Sequence, residues 1–145
     1  MIFQNALDVI LFLLPILSGF VMSAICPVSS TSGDKVPFRP PSWVFGVVWF
    51  ILYILLGLSW VIARHQDNGV VADVYYSLLT ASLVLWIVMY SCLNQKKNAI
   101  YVFGLSFICV ISALCLGNLT SKLMIVPLLV WLIYAFSLNT FEVSV

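Results

Sequence analysis

From Trp43 to Ala63 the chain carries no charged side chain, and the next charge is Arg64. Wound as an α-helix, a stretch of this length spans a hydrocarbon core of roughly 30 Å. Lipid supplies no hydrogen-bond partners, so such a stretch has to satisfy its backbone internally, which a helix does. The same reasoning extends to four other apolar stretches. Helices are expected at about 6–26, 43–63, 72–93, 99–117 and 122–141. With 63% hydrophobic and 8% charged residues in 145, the chain cannot hide its apolar surface in a water-soluble domain. A soluble domain of this size leaves roughly a third of its chain surface in water. The expected fold class is therefore an all-α membrane protein, one five-transmembrane-helix bundle over residues 1–145.

The first apolar segment resembles a signal peptide in position, but it lacks a basic start, carries Asp8 instead and has no clean small-x-small cleavage site. It reads as a retained helix. Asp8 is expected as an anion near the helix N-terminus, Pro15 as a mid-helix kink, and Gly19 with Ser23 as a small-residue contact face. The longest polar connection, 27–42, is rich in Ser, Thr, Gly and Pro. Within it Pro37, Pro40 and Pro41 exclude a helix and stiffen the approach to the second span, where Ser42 fits as an N-cap. Lys35, Arg39, Lys96 and Lys97 flank one side of the membrane, against Arg64 and Lys122 on the other. The positive-inside rule then expects the 27–42 loop and the C-terminus in the cytosol.

Helical periodicity gathers the rings. Trp49, Tyr53, Leu56 and Trp60 share one face of the second helix, with Gly57 beside them leaving room for a ring or a backbone. Tyr75, Leu79, Ser82, Trp86 and Tyr90 share a face of the third, and Trp131, Ala135 and Leu138 a face of the fifth, with Asn139 at its edge. Trp43 and Trp60, near the span ends, fit an interfacial aromatic belt; Trp49 and Tyr53 lie deeper. Three aromatic faces can enclose an apolar pocket, for which the indoles of Trp49 and Trp131, the phenols of Tyr53 and Tyr134, and the Asn139 amide are the polar handles. The bland alternative is that the rings serve only helix packing.

Other chemistries find little support. Net charge near +1 and no basic run longer than Lys96-Lys97 leave no footprint for nucleic acid. No ionisable group lies deep in the second to fifth helices, as an ion-coupled pump would need. Cys26, Cys92, Cys109 and Cys115 show no CxxC spacing and read as small hydrophobes, with neither a disulfide nor a metal site expected. His65, in the turn beside Asp67, reads as a solvated loop residue. No catalytic residue, metal or required cofactor is expected. Val88-Met89-Tyr90 up to Lys96, and Lys97 to Tyr101 to Leu105, match proposed sterol patterns that many membrane proteins match by chance.

Three stretches then acquire a common meaning: Lys35-x-Pro37-Phe38-x-Pro40-Pro41-x-Trp43-Val44-Phe45-Gly46, Trp49-x-x-Leu52-Tyr53-x-x-x-Gly57, and Pro127-x-x-x-Trp131-x-x-x-Ala135-x-x-Leu138-Asn139. On these the chain resembles the TspO/MBR proteins, also called tryptophan-rich sensory proteins, translocator proteins or peripheral benzodiazepine receptors. The resemblance implies a five-helix bundle, often a homodimer, whose pocket is roofed by the loop between the first two helices. It implies apolar ligands: porphyrin or haem, a sterol such as cholesterol, and isoquinoline-type drugs. Ligand-binding positions carry over to Trp49, Tyr53, Trp131 and Ala135, with Trp86 and Asn139 beside them, and the lid to Lys35, Pro37, Phe38, Pro40, Pro41 and Trp43. A mitochondrial outer membrane or a bacterial envelope is the implied location.

The chain also departs from the family's pattern. Ser29-Ser30 stands where many members have a Trp-Tyr pair, so porphyrin breakdown is in doubt. Val36, Val47 and Leu128 replace two prolines and a tyrosine, and no basic residue follows Tyr134 to complete the animal members' sterol motif. The expected function is ligand holding, with a sensing or transport role. The alternatives are a scaffold that uses helix faces such as Ser77-x-x-x-Ala81 and, third, a porphyrin-degrading enzyme.

Overall fold

A computed structural model describes residues 3–26, 37–38, 42–66 and 69–144. Lys35, Pro40 and Pro41 of the expected lid lie outside the described residues, as do Ser29, Ser30, Val36, Arg39 and Asp67. The described residues form α1 (Ala6–Ile25), α2 (Ser42–Arg64), α3 (Gly69–Ile87) continued by a π turn (Val88–Cys92), α4 (Lys96–Leu114) and α5 (Leu119–Ser144). All five are long and apolar enough to cross a bilayer, making this a multi-pass membrane protein. The third span begins earlier than expected and closes in a π turn; the fourth is displaced toward the N-terminus; the fifth is longer at both ends.

The helix ends follow local chemistry. Asn5 caps α1 by accepting the Asp8 N–H at 3.0 Å, and the Asp8 carboxylate accepts the Gln4 N–H at 2.8 Å. The bond to Gln4 ties the residue before the cap back to the first turn, and the Asn5 cap places an acceptor where that turn has an unpaired donor. Asn118 does the same for α5 through the Ser121 N–H at 3.0 Å. Gly117, with φ 74°, makes the tight passage from α4 into α5, a left-handed conformation open to glycine at no steric cost.

The helices close into a ring in the order α1, α2, α5, α4, α3, and α3 returns to pack on both α1 and α2. Their shared core is built from Leu52, Leu56, Leu79, Leu83, Leu128 and Leu132. Outward faces such as Ile10, Leu17, Ile108, Val130 and Ile133 are exposed, as lipid contact requires. Two glycines set the α1–α2 spacing. A Cβ on Gly57 would overlap the backbone carbonyl of Phe12, and one on Gly19 would overlap the Tyr53 ring. Of the expected small-residue face, Gly19 is buried in that contact while Ser23 is exposed. Because backbone cannot swing aside as a side chain can, Gly57→Val is expected to separate α1 from α2 at a cost of about 1–3 kcal/mol. Thermal unfolding in detergent checks this; an unchanged midpoint contradicts the close approach.

Polar bonds tie the interior together. Ser59 shares a 2.6 Å hydrogen bond with the Tyr76 hydroxyl and donates to the Ser121 carbonyl at 2.7 Å, joining α2, α3 and α5. Ser82 and Ser106 join α3 to α4 at 2.8 Å.

Three expectations are corrected here. Trp60 is not a belt residue: it is 1% exposed, stacks on Tyr76 at 6.1 Å and donates its indole N–H to Asp73 at 2.9 Å. Trp43, 70% exposed, does have the exposure that a belt requires. His65 is not simply solvated, because its Nε2 donates to Asp8 at 2.7 Å. Arg64 bonds Asp8 and, at 3.2 Å, Asp73, so the ends of α1, α2 and α3 meet in one ionic cluster. Finally, Cys26 and Cys92 are joined in a disulfide, with Cα atoms 5.0 Å apart, although no spacing in the chain marks them as a pair. The packing of α1 against α3 brings them together. Cys109 and Cys115 are free.

Candidate functional site

Trp49 lies in the middle of the aromatic region. Its ring stacks on Tyr53 one turn along α2 at 5.6 Å and on Trp86 of α3 at 6.4 Å, and meets Trp131 of α5 edge-on at 6.3 Å. Three faces predicted separately from helical periodicity thus converge. Ala135, one turn beyond Trp131, is buried in the same core cluster, where its small side chain adds little bulk beside the rings. Stacked and edge-to-face contacts of this kind each contribute about 0.5–1.5 kcal/mol beyond area burial.

The cluster has members that the sequence reading did not single out. Phe45 meets Trp131 at 5.9 Å, and Phe103 of α4 meets Trp86 at 5.6 Å. Phe45 stands one turn before Trp49, so the same angular count reaches it. Phe103 has no such signal, since it lies on a helix without tryptophan and only tertiary packing brings it to the rings.

The polar handles divide sharply. Asn139 is engaged at both ends of its amide: its Oδ1 accepts the Trp86 indole N–H at 3.1 Å, and its Nδ2 donates to the Lys96 carbonyl at 3.1 Å. It orients Trp86 and ties α5 to α3 and α4. Below it Lys96 pairs with Glu142 at 2.7 Å and lies 5.0 Å over the Tyr90 ring, while the Tyr90 hydroxyl donates to Glu142. Tyr134 donates its hydroxyl to the Phe38 carbonyl at 2.6 Å. The Phe38 ring also meets Tyr134 at 6.2 Å and Phe141 at 5.5 Å, so this part of the connecting loop is docked on α5. Pro37, beside it, is exposed.

Trp131 differs from these. Its Nε1 is buried and has no hydrogen-bond partner among the described residues. An unpaired buried donor costs about 1–3 kcal/mol, and in native proteins such orphans are uncommon. Its ring lies among Phe45, Trp49 and Tyr134, and its N–H has one hydrogen bond still to give.

The TspO/MBR family model matches residues 9–142, nearly the whole chain and all five helices. The chain belongs to the TspO/MBR family. It is similar to the tryptophan-rich protein TspO of Archaeoglobus fulgidus, at 24% identity over 73% of this chain and 72% of that protein. It is also similar to the protein CrtK of Rhodobacter capsulatus, at 28% identity over 72% of this chain and 70% of that one. In this TspO/MBR protein the aromatic cluster draws on α2, α3, α4 and α5, beside the docked Phe38. The scaffold face named from the sequence, Ser77 and Ala81, points outward from α3 in this TspO/MBR bundle.

Proposed function

We propose that this TspO/MBR protein holds a flat, largely apolar ligand that carries a hydrogen-bond acceptor, with a tetrapyrrole such as porphyrin or haem the first choice and a sterol the second. The observation that carries this reading is the orphaned Trp131 Nε1 within the aromatic cluster. Trp49, Tyr53 and Trp86 supply stacking surface, Trp131 supplies the donor, and Ala135 shapes the wall. Asn139 positions Trp86 rather than meeting the ligand, and Phe38, held by Tyr134, covers the site as part of a lid. Bound ligand is held for sensing or transfer without a chemical step, and a homodimer is compatible with the apolar outer faces.

The test is tryptophan-fluorescence titration of the purified full chain with protoporphyrin, haem, cholesterol and an isoquinoline ligand. Saturable quenching by at least one supports the site and ranks the ligands. No saturable response to any of them overturns it and moves the choice to a scaffold that works through outward faces such as Ser77 and Ala81. New porphyrin products under light would instead favour the enzymatic alternative.

A further inference from the structure

Four rings form a continuous series through the bundle. Trp131 of α5 meets Trp49 of α2 at 6.3 Å, Trp49 stacks on Trp86 of α3 at 6.4 Å, and Trp86 stacks on Tyr90 of the π turn at 4.8 Å. Rings at these separations are packed against one another, so an electron vacancy on one passes to the next without crossing solvent. The series ends at a base. The Tyr90 hydroxyl donates to the Glu142 carboxylate, which Lys96 also meets at 2.7 Å. Lys96 is the first residue of α4, lies 5.0 Å over the Tyr90 ring and has a side chain 30% exposed, which sets this end of the series near the membrane surface rather than at depth.

Proton acceptors separate Tyr90 from the other rings. Oxidising a phenol makes its O–H strongly acidic, so the vacancy settles where that proton has a base to go to. Three tyrosines touch the tryptophans of the series: Tyr53 on Trp49, Tyr134 on Trp131 and Tyr90 on Trp86. Among the described residues only Tyr90 of the three donates to a carboxylate; Tyr134 donates to the Phe38 carbonyl, a far weaker base. The indoles offer no such exit. The Trp86 N–H is bonded to the neutral Asn139 amide, and the Trp131 N–H has no partner among the described residues, so an indole oxidised there keeps its proton and passes the vacancy on. Trp60 does meet a carboxylate, Asp73, but its ring pairs with Tyr76 outside this series.

We propose that the rings from Trp131 through Trp49 and Trp86 to Tyr90, with Glu142 as proton acceptor, form a one-electron relay that drains oxidising equivalents from the aromatic site. Its use in the protein rests on the ligand-holding reading given above, because the oxidant is the radical cation of a bound conjugated ligand. That radical cation takes one electron from Trp49 or Trp131 and returns to its neutral form. Trp86 refills the indole, and Tyr90 refills Trp86 as its O–H bond breaks and the proton passes to Glu142. The net change is one electron from Tyr90 to the ligand and one proton from Tyr90 to Glu142. It leaves a neutral phenoxyl radical, a carboxylic acid and an intact ligand. A water-soluble one-electron reductant of the ascorbate class then supplies the electron that restores Tyr90, and the proton on Glu142 returns to the phenol oxygen. The ligand is preserved, the opposite outcome to a porphyrin-degrading activity.

The first test uses the ligand-free full chain in nanodiscs. An ultraviolet flash ionises indoles within the protein, and transient absorption follows the indole radicals as they give way to phenoxyl radical. Tyr90→Phe keeps the stacked ring without its hydroxyl and should lose most of the phenoxyl signal, whereas Tyr53→Phe and Tyr134→Phe should keep it. Trp86→Phe, which interrupts the series before Tyr90, should lose it as well. Glu142→Gln should slow phenoxyl formation roughly a hundredfold, the scale of losing a positioned base. Lys96→Gln breaks the same ion pair but keeps the base, so it should not slow that step. A phenoxyl signal that survives Tyr90→Phe overturns the relay, as does a rate unchanged in Glu142→Gln or slowed equally in Lys96→Gln. The second test adds protoporphyrin and illuminates it with methyl viologen as electron acceptor, which turns the bound porphyrin into its radical cation. That species should persist longer in Tyr90→Phe than in the unaltered chain, and equal lifetimes overturn the draining role. If protoporphyrin does not bind, the ligand-holding reading fails, while the flash experiment on the ligand-free chain still decides the relay.

Discussion

Arg64→Ala is expected to destabilise the bundle by about 1–3 kcal/mol, the scale of losing hydrogen bonds to charged groups. Asp8 is 0% exposed and accepts from Arg64, His65 and the Gln4 backbone. Arg64 reaches it from the end of α2 while its Nε also meets Asp73 on α3. Truncating Arg64 leaves the Asp8 carboxylate with His65 and the Gln4 N–H among the described residues, and it removes a side chain that bridges both acids. Arg64→Lys keeps the charge but lacks the planar fork that serves two carboxylates at once, so an intermediate loss is expected. Thermal unfolding in detergent measures both. In a cycle with Asp8→Ala, the double variant should lose less than the sum of the singles by about 1–3 kcal/mol. Strict additivity contradicts the pairing.

The second large effect concerns binding rather than folding. Trp49→Phe with Trp131→Phe is expected to weaken tetrapyrrole affinity roughly a hundredfold, which corresponds to about 2.7 kcal/mol. Part is the lost Trp131 donor, about 0.5–1.5 kcal/mol, and the rest is stacking area given up when two indoles become phenyl rings. Stability should respond differently. Trp131→Phe removes a buried donor that has no partner in the free protein, which offsets the packing lost with the smaller ring. A change within about 1 kcal/mol in either direction is therefore expected for that variant alone. A packing-only role for Trp131 predicts the reverse: clear destabilisation with affinity unchanged. The two readings thus differ in which quantity moves.

Much of this arrangement was legible in the chain because lipid is a demanding solvent. An uncharged run such as Trp43–Ala63 has few other solutions than a spanning helix, and five such runs imply the bundle. The convergence of Trp49, Trp86 and Trp131 was legible for a related reason: helical periodicity sets which residues share a face, and an aromatic face turned from solvent packs against others. Pairings between distant residues were less accessible. Cys26 and Cys92 are 66 residues apart, and only the return of α3 onto α1 brings them together. Trp60 stands where belt residues stand, and what separates belt from core is the presence of Tyr76 and Asp73 on a neighbouring helix. His65 looked solvated because its partner, Asp8, comes from the start of α1, two helix lengths away in sequence. Asn139 was correctly placed beside the rings, but whether its amide was free for a ligand depended on Trp86 and Lys96. The orphaned indole of Trp131 is the hardest to foresee, because it is defined by what fails to arrive next to it.

The most direct measurement is the indole ¹⁵N–¹H spectrum of the full chain, with the Trp131 resonance assigned by its loss in Trp131→Phe, recorded while protoporphyrin is added. The Trp131 Nε1 resonance is expected to move saturably downfield as its proton gains an acceptor. The indoles of Trp60 and Trp86, already bonded to Asp73 and Asn139, should keep those bonds and move less. A Trp131 resonance that stays in place while protoporphyrin binds would contradict the account, because the donor on which it rests would then have no part in holding the ligand.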